Sequence, residues 1–510
     1  MKKGIKKWSL LGVVSCFLSI LFFYHSASFK SVFDKHIDQR INNHWHFSLS
    51  KKVVSIGDLF NIPLQLEKWN AEEPEVLGTL KLSKKDREEI KEQSNLLIKH
   101  SGNSLVKKWI KTIFLTNDLD TIFIKLKIHG TSPIHYSSDY KSYKIKSPKP
   151  INGLTDFSLI RSDDLNPMIA VGNYLADSIG LIAPITHFVT IKENDKKYSY
   201  AQLEDIDERV SVQGFDVYRN INERDRLEYI MTGDPHISRW DLNLAHIKNV
   251  QDLKFANGLT KYNKLSTVLI SDSVVIEDFF NLEYLGKYLA IAYLFNDVHF
   301  MIGHNLRLAY NNTDSLFYPI FRIETCGKGV NVDYYKSRFP FLNTWLFASS
   351  PTRGESVLGE MWQKLLNNSK VRYYRDKTLY ELSNSNLFKS QIIDYVSKNK
   401  WFVTGLADYG KEMSNNITTQ LQNVSWLLEK HQTYCSYAKI YEQIVNDTLI
   451  VIPDALVDIV AISQEDSVIL KAELKNLLPD NQAIKLPVRS YNYKNSITGE
   501  IIIPANKMFE

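Results

Sequence analysis

Ile122, Ile124, Leu126 and Ile128 recur at every second position, a period that puts all four side chains on one face of a β-strand and commits that face to a core. Gly130-Thr131-Ser132-Pro133 then breaks the strand. A second strand follows from Tyr140 to Lys146, so the pair reads as a hairpin with a long tip spanning His129 to Asp139. Upstream, Lys81-Leu82-Ser83-Lys84-Lys85-Asp86 reads as a strand end followed by a helix start. Ser83 can cap there with Asp86 three residues on, and the helix runs to Ile98.

Downstream the chain alternates between both kinds of element. Asn166-Pro167 opens a helix carrying Met168, Val171, Leu175 and Ile179 at helical spacing, ended by Gly180. His187–Lys192 and Lys197–Leu203 read as another antiparallel pair. A longer helix starts at Ile276, with Phe279, Leu282, Leu285 and Leu289 on one face. Trp345 to Ile444 reads as mostly helical, and short strands come after it at Leu449–Ile452, Val457–Ile462 and Ile501–Ile503. The fold class read from this order is α+β, and the chain divides into five parts. These are a leader at 1–28, a stalk or docking region at 29–78, an α+β region at 79–210, a helical region at 211–445 and a C-terminal β-rich module at 446–510.

The N-terminus speaks to location. Met1 to Lys7 is a basic leader, and Trp8 to Tyr24 is apolar apart from small Ser and Gly residues. Positive charge ahead of an apolar run keeps the N-terminus cytoplasmic and exports the chain beyond the run. An uncleaved signal anchor fits the run; so does a signal peptide cleaved near Ser26-Ala27-Ser28. Val13-Val14-Ser15-Cys16 matches a lipidation box loosely, but the apolar run continues past it to Phe23. The expected location is membrane-anchored with the bulk exported, or secreted after cleavage. In such a compartment Cys326 and Cys435 can pair, although spacing does not assign the bond. The net charge of +5 comes from Lys and Arg dispersed along the chain, which leaves no nucleic-acid footprint.

Three blocks carry a resemblance. The first is Lys125-Leu126-Lys127-Ile128-His129-Gly130 with Lys141-Ser142-Tyr143-Lys144-Ile145-Lys146. The second runs from Asn152-Gly153 and Phe157-Ser158-Leu159 through Gly180-Leu181-Ile182-Ala183-Pro184 to Leu203-Glu204-Asp205. The third is Asp297-Val298-His299, His304-Asn305-Leu306-Arg307-Leu308 and Tyr318-Pro319-Ile320. In order and spacing these resemble the spore-coat protein H (CotH) kinase family, over about Asp118 to Glu324.

The resemblance implies a two-lobed, atypical protein-kinase-like fold, with Mg-ATP-dependent phosphoryl transfer to a hydroxyl of an envelope protein or glycan. Lys144 is then the phosphate ligand with Lys141 in reserve, because a strand lysine grips nucleotide phosphates in kinases. Ser142 leaves room for a base. Glu204 either contacts nucleotide or braces the lysine; the plainer reading makes it one acid of a solvated face with Asp205, Asp207 and Glu208. Asp297 is the general base, and Asn305 with Glu324 the magnesium ligands. The family pattern breaks at Phe321-Arg322-Ile323-Glu324, where an aspartate is expected and Arg322 places a competing charge. A non-catalytic scaffold or binding protein of the cell surface is therefore the rival reading.

Overall fold

The computed structural model describes residues 74–99, 107–130, 135–137, 140–161, 168–220, 275–295, 306–322, 368–385, 387–399, 411–455, 457–470 and 483–504, with short pieces at 245–247, 258, 260–262, 265, 365, 474–475 and 478–479. The leader at 1–28 lies outside them. Among the described residues no helix is long and apolar enough to cross a membrane.

Seven strands close into a barrel: β1 (Val76–Lys81), β2 (Ile110–Thr116), β3 (Thr121–Ile128), β4 (Tyr143–Ile151), β5 (Leu154–Arg161), β6 (Thr186–Glu193) and β7 (Lys196–Glu204), in the order β1-β2-β3-β4-β5-β7-β6. Closure depends on a parallel pairing of β1 with β6, registering Val76 with Thr190 and Leu80 with Glu193. This corrects the expected two-lobed kinase-like fold. A barrel with no free edge stands where that arrangement was expected, followed by several separate sheets. Pairings between strands far apart in sequence leave no periodic mark, so the closing contact has no signature in the sequence.

The alternating residues behave as their period requires. Ile122, Ile124, Leu126, Ile128, Tyr143 and Ile145 fill the barrel interior, and the lysines between them face outward. The Ser83–Asp86 capping box forms: Asp86 N donates to Ser83 Oγ at 3.1 Å, and Ser83 N donates to Asp86 Oδ2 at 2.9 Å. It starts α1 (Lys84–Lys99), which buries Ile90, Gln93, Ser94 and Leu97, one helical stripe. β4 runs past Lys146 through a register shift that absorbs Pro148 and Pro150, then turns at Asn152-Gly153. Both turn residues have positive φ, 51° and 82°, as a type I′ hairpin demands. At Gly130 (φ 71°) a Cβ would lie 2.0 Å from the His135 ring, so the tip closes on a glycine for steric reasons.

Beyond the barrel come α2 (Met168–Ser178), α3 (Ile206–Val212), β8 (Phe215–Asn220) and β9 (Ala245–Ile247). Then follow α4 (Leu282–Leu294), β10 (Arg307–Asn311) and β11 (Leu316–Pro319), with a sheet ordered β11-β10-β8-β9. The helix expected from Ile276 begins instead at Leu282. Asn281 caps it by accepting from Tyr284 N at 2.9 Å, and Ile276–Asp278 is a separate 3₁₀ turn. The helices α5 (Ser369–Asn384), α6 (Ile393–Lys398) and α7 (Lys411–Ser436) join α4 in one large core.

The helical reading to Ile444 stops short, because β12 (Ala438–Val445) is a strand. It pairs with β13 (Thr448–Ala455) across Asn446-Asp447, again two positive-φ residues. The C-terminal strands are β14 (Ile459–Ile462), β15 (Ser467–Leu470), β16 (Leu474–Lys475), β17 (Leu478–Pro479), β18 (Ile484–Pro487), β19 (Asn492–Asn495) and β20 (Ile501–Ile502). β12-β13-β18 and β15-β14-β19-β20 form two sheets around a core of their own. Cys435 is a free, buried thiol, and Cys326 lies outside the described residues.

Candidate functional site

Strand pairing gathers charge on the outer face of β3, β4 and β5. Lys127 sits opposite Lys144 in the β3–β4 register, and Lys146 sits opposite Asp156 in the β4–β5 register. Asp205 follows β7, and its backbone N–H donates to the Asp156 carbonyl at 2.9 Å, which fixes the two acids side by side. Lys144 Nζ donates to Asp205 Oδ2 and lies 3.8 Å from Asp156 Oδ1. Lys146 Nζ is 3.0 Å from Asp156 Oδ2. From the neighbouring sheet Arg307, at the start of β10, reaches across with Nη1 2.8 Å from Asp207 Oδ1 and 3.8 Å from Asp205 Oδ1.

The balance of charge in this cluster is informative. Burial, and then the nearby Lys144 and Lys146 ammoniums, hold Lys127 below the ordinary lysine range. Its ammonium lies 4.6 Å from the Trp109 ring centroid, and that of Lys146 lies 5.9 Å from the same centroid. Asp156 is buried, yet its Oδ1 completes no hydrogen bond, an uncommon state for a buried carboxylate oxygen. Asp205 stands at the N-cap position of α3 but makes no side-chain cap hydrogen bond; its carboxylate turns to Lys144 and Arg307 instead. Crowded cations beside an unsatisfied acceptor suit a ligand that brings both anionic oxygens and a hydrogen-bond donor.

Lys144 is thus at the centre of a cluster, while the other described candidates are elsewhere. Lys141 Nζ donates to the Tyr136 carbonyl at 3.1 Å and lines a cavity away from that cluster. Glu204 is buried and committed to structure. It accepts from Arg209 Nε at 2.8 Å and Nη2 at 3.1 Å, and from the Ile185 N–H at 2.9 Å. The acid that braces the lysine is its neighbour Asp205. Ser142, expected to leave space for a base, is fully buried; its Oγ accepts from Arg161 N at 3.1 Å and lies 3.1 Å from His135 Nδ1. Asp297, Asn305 and Glu324 lie outside the described residues. Among the described residues no group of three His, Cys, Asp or Glu side chains could hold a metal ion.

Asp156 and Arg307 are the members that sequence reasoning missed. A signal existed for Asp156, a lone acid inside the strand Thr155-Asp156-Phe157-Ser158-Leu159, since an acid in a buried strand is rare without a partner. Arg307 had none, because its role depends on packing between two sheets. No family model matches the chain, and no curated protein matches it.

Proposed function

We propose that the Lys144 cluster binds the phosphates of a nucleotide and that the chain transfers phosphate from ATP to a hydroxyl of an envelope protein or glycan. The observation that carries this reading is Lys144 held by Asp205 between Lys127, Lys146 and Arg307. A strand lysine kept in place by an acid is the arrangement by which kinases grip phosphates, and here the acid comes from the residue after β7. An incoming phosphate relieves the repulsion among the lysines, and its electrostatic preorganisation needs no rearrangement of the strands. The described residues do not supply a ligand set for the nucleotide's magnesium. The chemistry assigned to Lys144 therefore concerns the phosphates alone, and Asp297 remains the proposed base.

The rival reading, a non-catalytic binding protein of the cell surface, is favoured by one feature: Asp205 and Asp207 already neutralise Lys144 and Arg307. Thermal unfolding separates the two. Millimolar ATP is expected to raise the melting temperature, by about 2–4 kcal/mol of mass-action stabilisation if its Kd is a hundredth of the concentration or less. Lys144→Met should abolish that rise, while Asp297→Ala should keep it and lose transfer. No rise in the parent chain at any magnesium concentration would remove the catalytic reading and leave the scaffold.

We also propose that the barrel and everything after it work outside the cytoplasm, on the basic leader and apolar run of 1–28. A reporter that is active only after export, fused behind Glu510, is expected to be active. An inactive export reporter with an active cytoplasmic one would reverse the topology.

A further inference from the structure

A cavity of about 490 Å³ opens between α1 and one end of the barrel. Its walls come from three places. The helix supplies Arg87, Lys91, Ser94 and Asn95; the segment entering β4 supplies Tyr136, Lys141 and Tyr143; the β6–β7 hairpin supplies Glu193, Asp195, Lys196 and Tyr198. Asn194 locks the hairpin to the start of the helix: its Oδ1 accepts from Leu82 N at 3.1 Å, and its N–H donates to the Leu80 carbonyl at 3.1 Å. The cavity is therefore preformed by the barrel closure itself.

Glu193 is poorly satisfied there. Its two oxygens share one donor, the Tyr143 hydroxyl, at 3.4 Å each, which is the far limit of a hydrogen bond. The fully buried Tyr200 hydroxyl lies beside the same carboxylate and completes no hydrogen bond. A half-buried carboxylate and a buried phenol in this state call for an external partner. The lining decides which. Arg87, Lys91, Lys141 and Lys196 outnumber Glu193 and Asp195, so an ammonium ligand is disfavoured and an anionic one attracted. Hydroxyls remain as the donors that Glu193 lacks, and Tyr198, stacked on Tyr140 at 4.6 Å, offers an aromatic wall for the C–H face of a ring. The volume suits a ligand of one or two rings.

We propose that this cavity binds a small anionic sugar, a sugar phosphate or a uronate, with its acid group toward the Arg87 and Lys91 side and its hydroxyls on Glu193. This site is separate from the Lys144 cluster, and its fate does not depend on phosphoryl transfer.

The site carries a pH signature. Burial pushes the Glu193 carboxyl up to about 7 against the opposing effects of the Tyr143 and Tyr200 hydroxyls, Lys141 and Arg87. The other charged groups on the cavity wall are Lys91, Asp195 and Lys196. Below about pH 7 Glu193 is neutral: it no longer repels the ligand's charge, while its carbonyl oxygen still accepts from a ligand hydroxyl, so binding tightens as pH falls.

Calorimetric titration of the full chain with glucose 6-phosphate, glucuronate, glucose and inorganic phosphate, at about pH 6 and about pH 8, tests the proposal. The expected result is saturable binding of at least one anionic sugar, roughly tenfold tighter than glucose or phosphate and tighter at the lower pH. Glu193→Gln should flatten the pH dependence. Arg87→Glu with Lys91→Glu should weaken binding about tenfold or more at an unchanged melting temperature, since both side chains are exposed on α1. That double variant carries the test should Glu193→Gln fold poorly. Absence of saturable heat with either anionic sugar at millimolar concentration would overturn the proposal. Equal affinity for phosphate alone would also overturn it, by reducing the site to an anion trap.

Discussion

Asp376→Ala is expected to destabilise the protein by about 3–5 kcal/mol, the effect of breaking a buried ion pair from one side. Arg375 and Asp376, both in α5, are nearly fully buried. Arg375 Nε donates to Asp376 Oδ1 at 2.8 Å, and Nη2 lies 2.8 Å from the same oxygen. His431 of α7 faces that oxygen from 3.7 Å. Alanine would leave the guanidinium charged and buried without its counter-ion, a state that costs far more than the pair contributes. Chemical denaturation reads the loss directly. Replacing both residues together, as Arg375→Met with Asp376→Leu, should recover much of it, because the desolvation cost disappears with the charges. Failure of Asp376→Ala to shift the denaturation midpoint would show that the pair is hydrated in solution.

The same cluster gives the fold a pH limit. Burial holds the His431 imidazole down to about 4, from an ordinary value of 6.5, against the partial opposition of Asp376. Between those values the unfolded chain takes up a proton that the folded chain refuses. The stability contributed by neutral His431 is therefore complete above about pH 6.5 and lost as pH falls toward 4, amounting to ~3 kcal/mol over the interval. His431→Gln should flatten the acid limb of the stability profile.

Gly286→Val is expected to be comparably damaging. Gly286 lies on the face of α4 that meets α5, and a Cβ there would stand 2.5 Å from Tyr374 Cβ and 2.8 Å from the Arg375 backbone nitrogen. The obstruction is backbone, which no rotamer change can clear, so the two helices would have to separate. Overpacking of this kind costs about 1–3 kcal/mol for a single methyl and more for a branched side chain. Alanine regains about 1 kcal/mol of helix propensity, so Gly286→Ala should be the milder of the two. Soluble yield and melting temperature check the order: parent, then alanine, then valine. A stabilised alanine variant would mean that α4 and α5 pack less closely than these distances.

Neither effect is legible from local sequence. Nothing in Ser369–Asn384 marks Arg375-Asp376 as buried; the pair looks like ordinary surface charge until α4 and α7 close over it. Gly286 looks like a helix-weakening residue until α5 crosses there. Lys144 is legible, because alternation puts it on the outer face and its neighbours Lys127 and Lys146 share that face. Its partners are not. Asp205 reads in sequence as one acid of a solvated face, and Arg307 carries no mark at all. The Asn152-Gly153 pair is a hairpin signal in its own right, because both positions of a type I′ turn need positive φ.

What the sequence determined by itself is local: the strand period of Ile122–Ile128, the Ser83–Asp86 cap, the helix closed at Gly180 and the outward lysines. Each depends on residues within a few positions of one another, where spacing is geometry. What only the tertiary structure decided is closure and convergence. The parallel pairing of β1 with β6 turned a lobe-like order of elements into a barrel, formed the Glu193 cavity beneath α1, and left Lys144 to meet Asp205. These contacts join residues 61 to 114 positions apart, and at that separation the partner is chosen by packing of the whole chain, which no local pattern records.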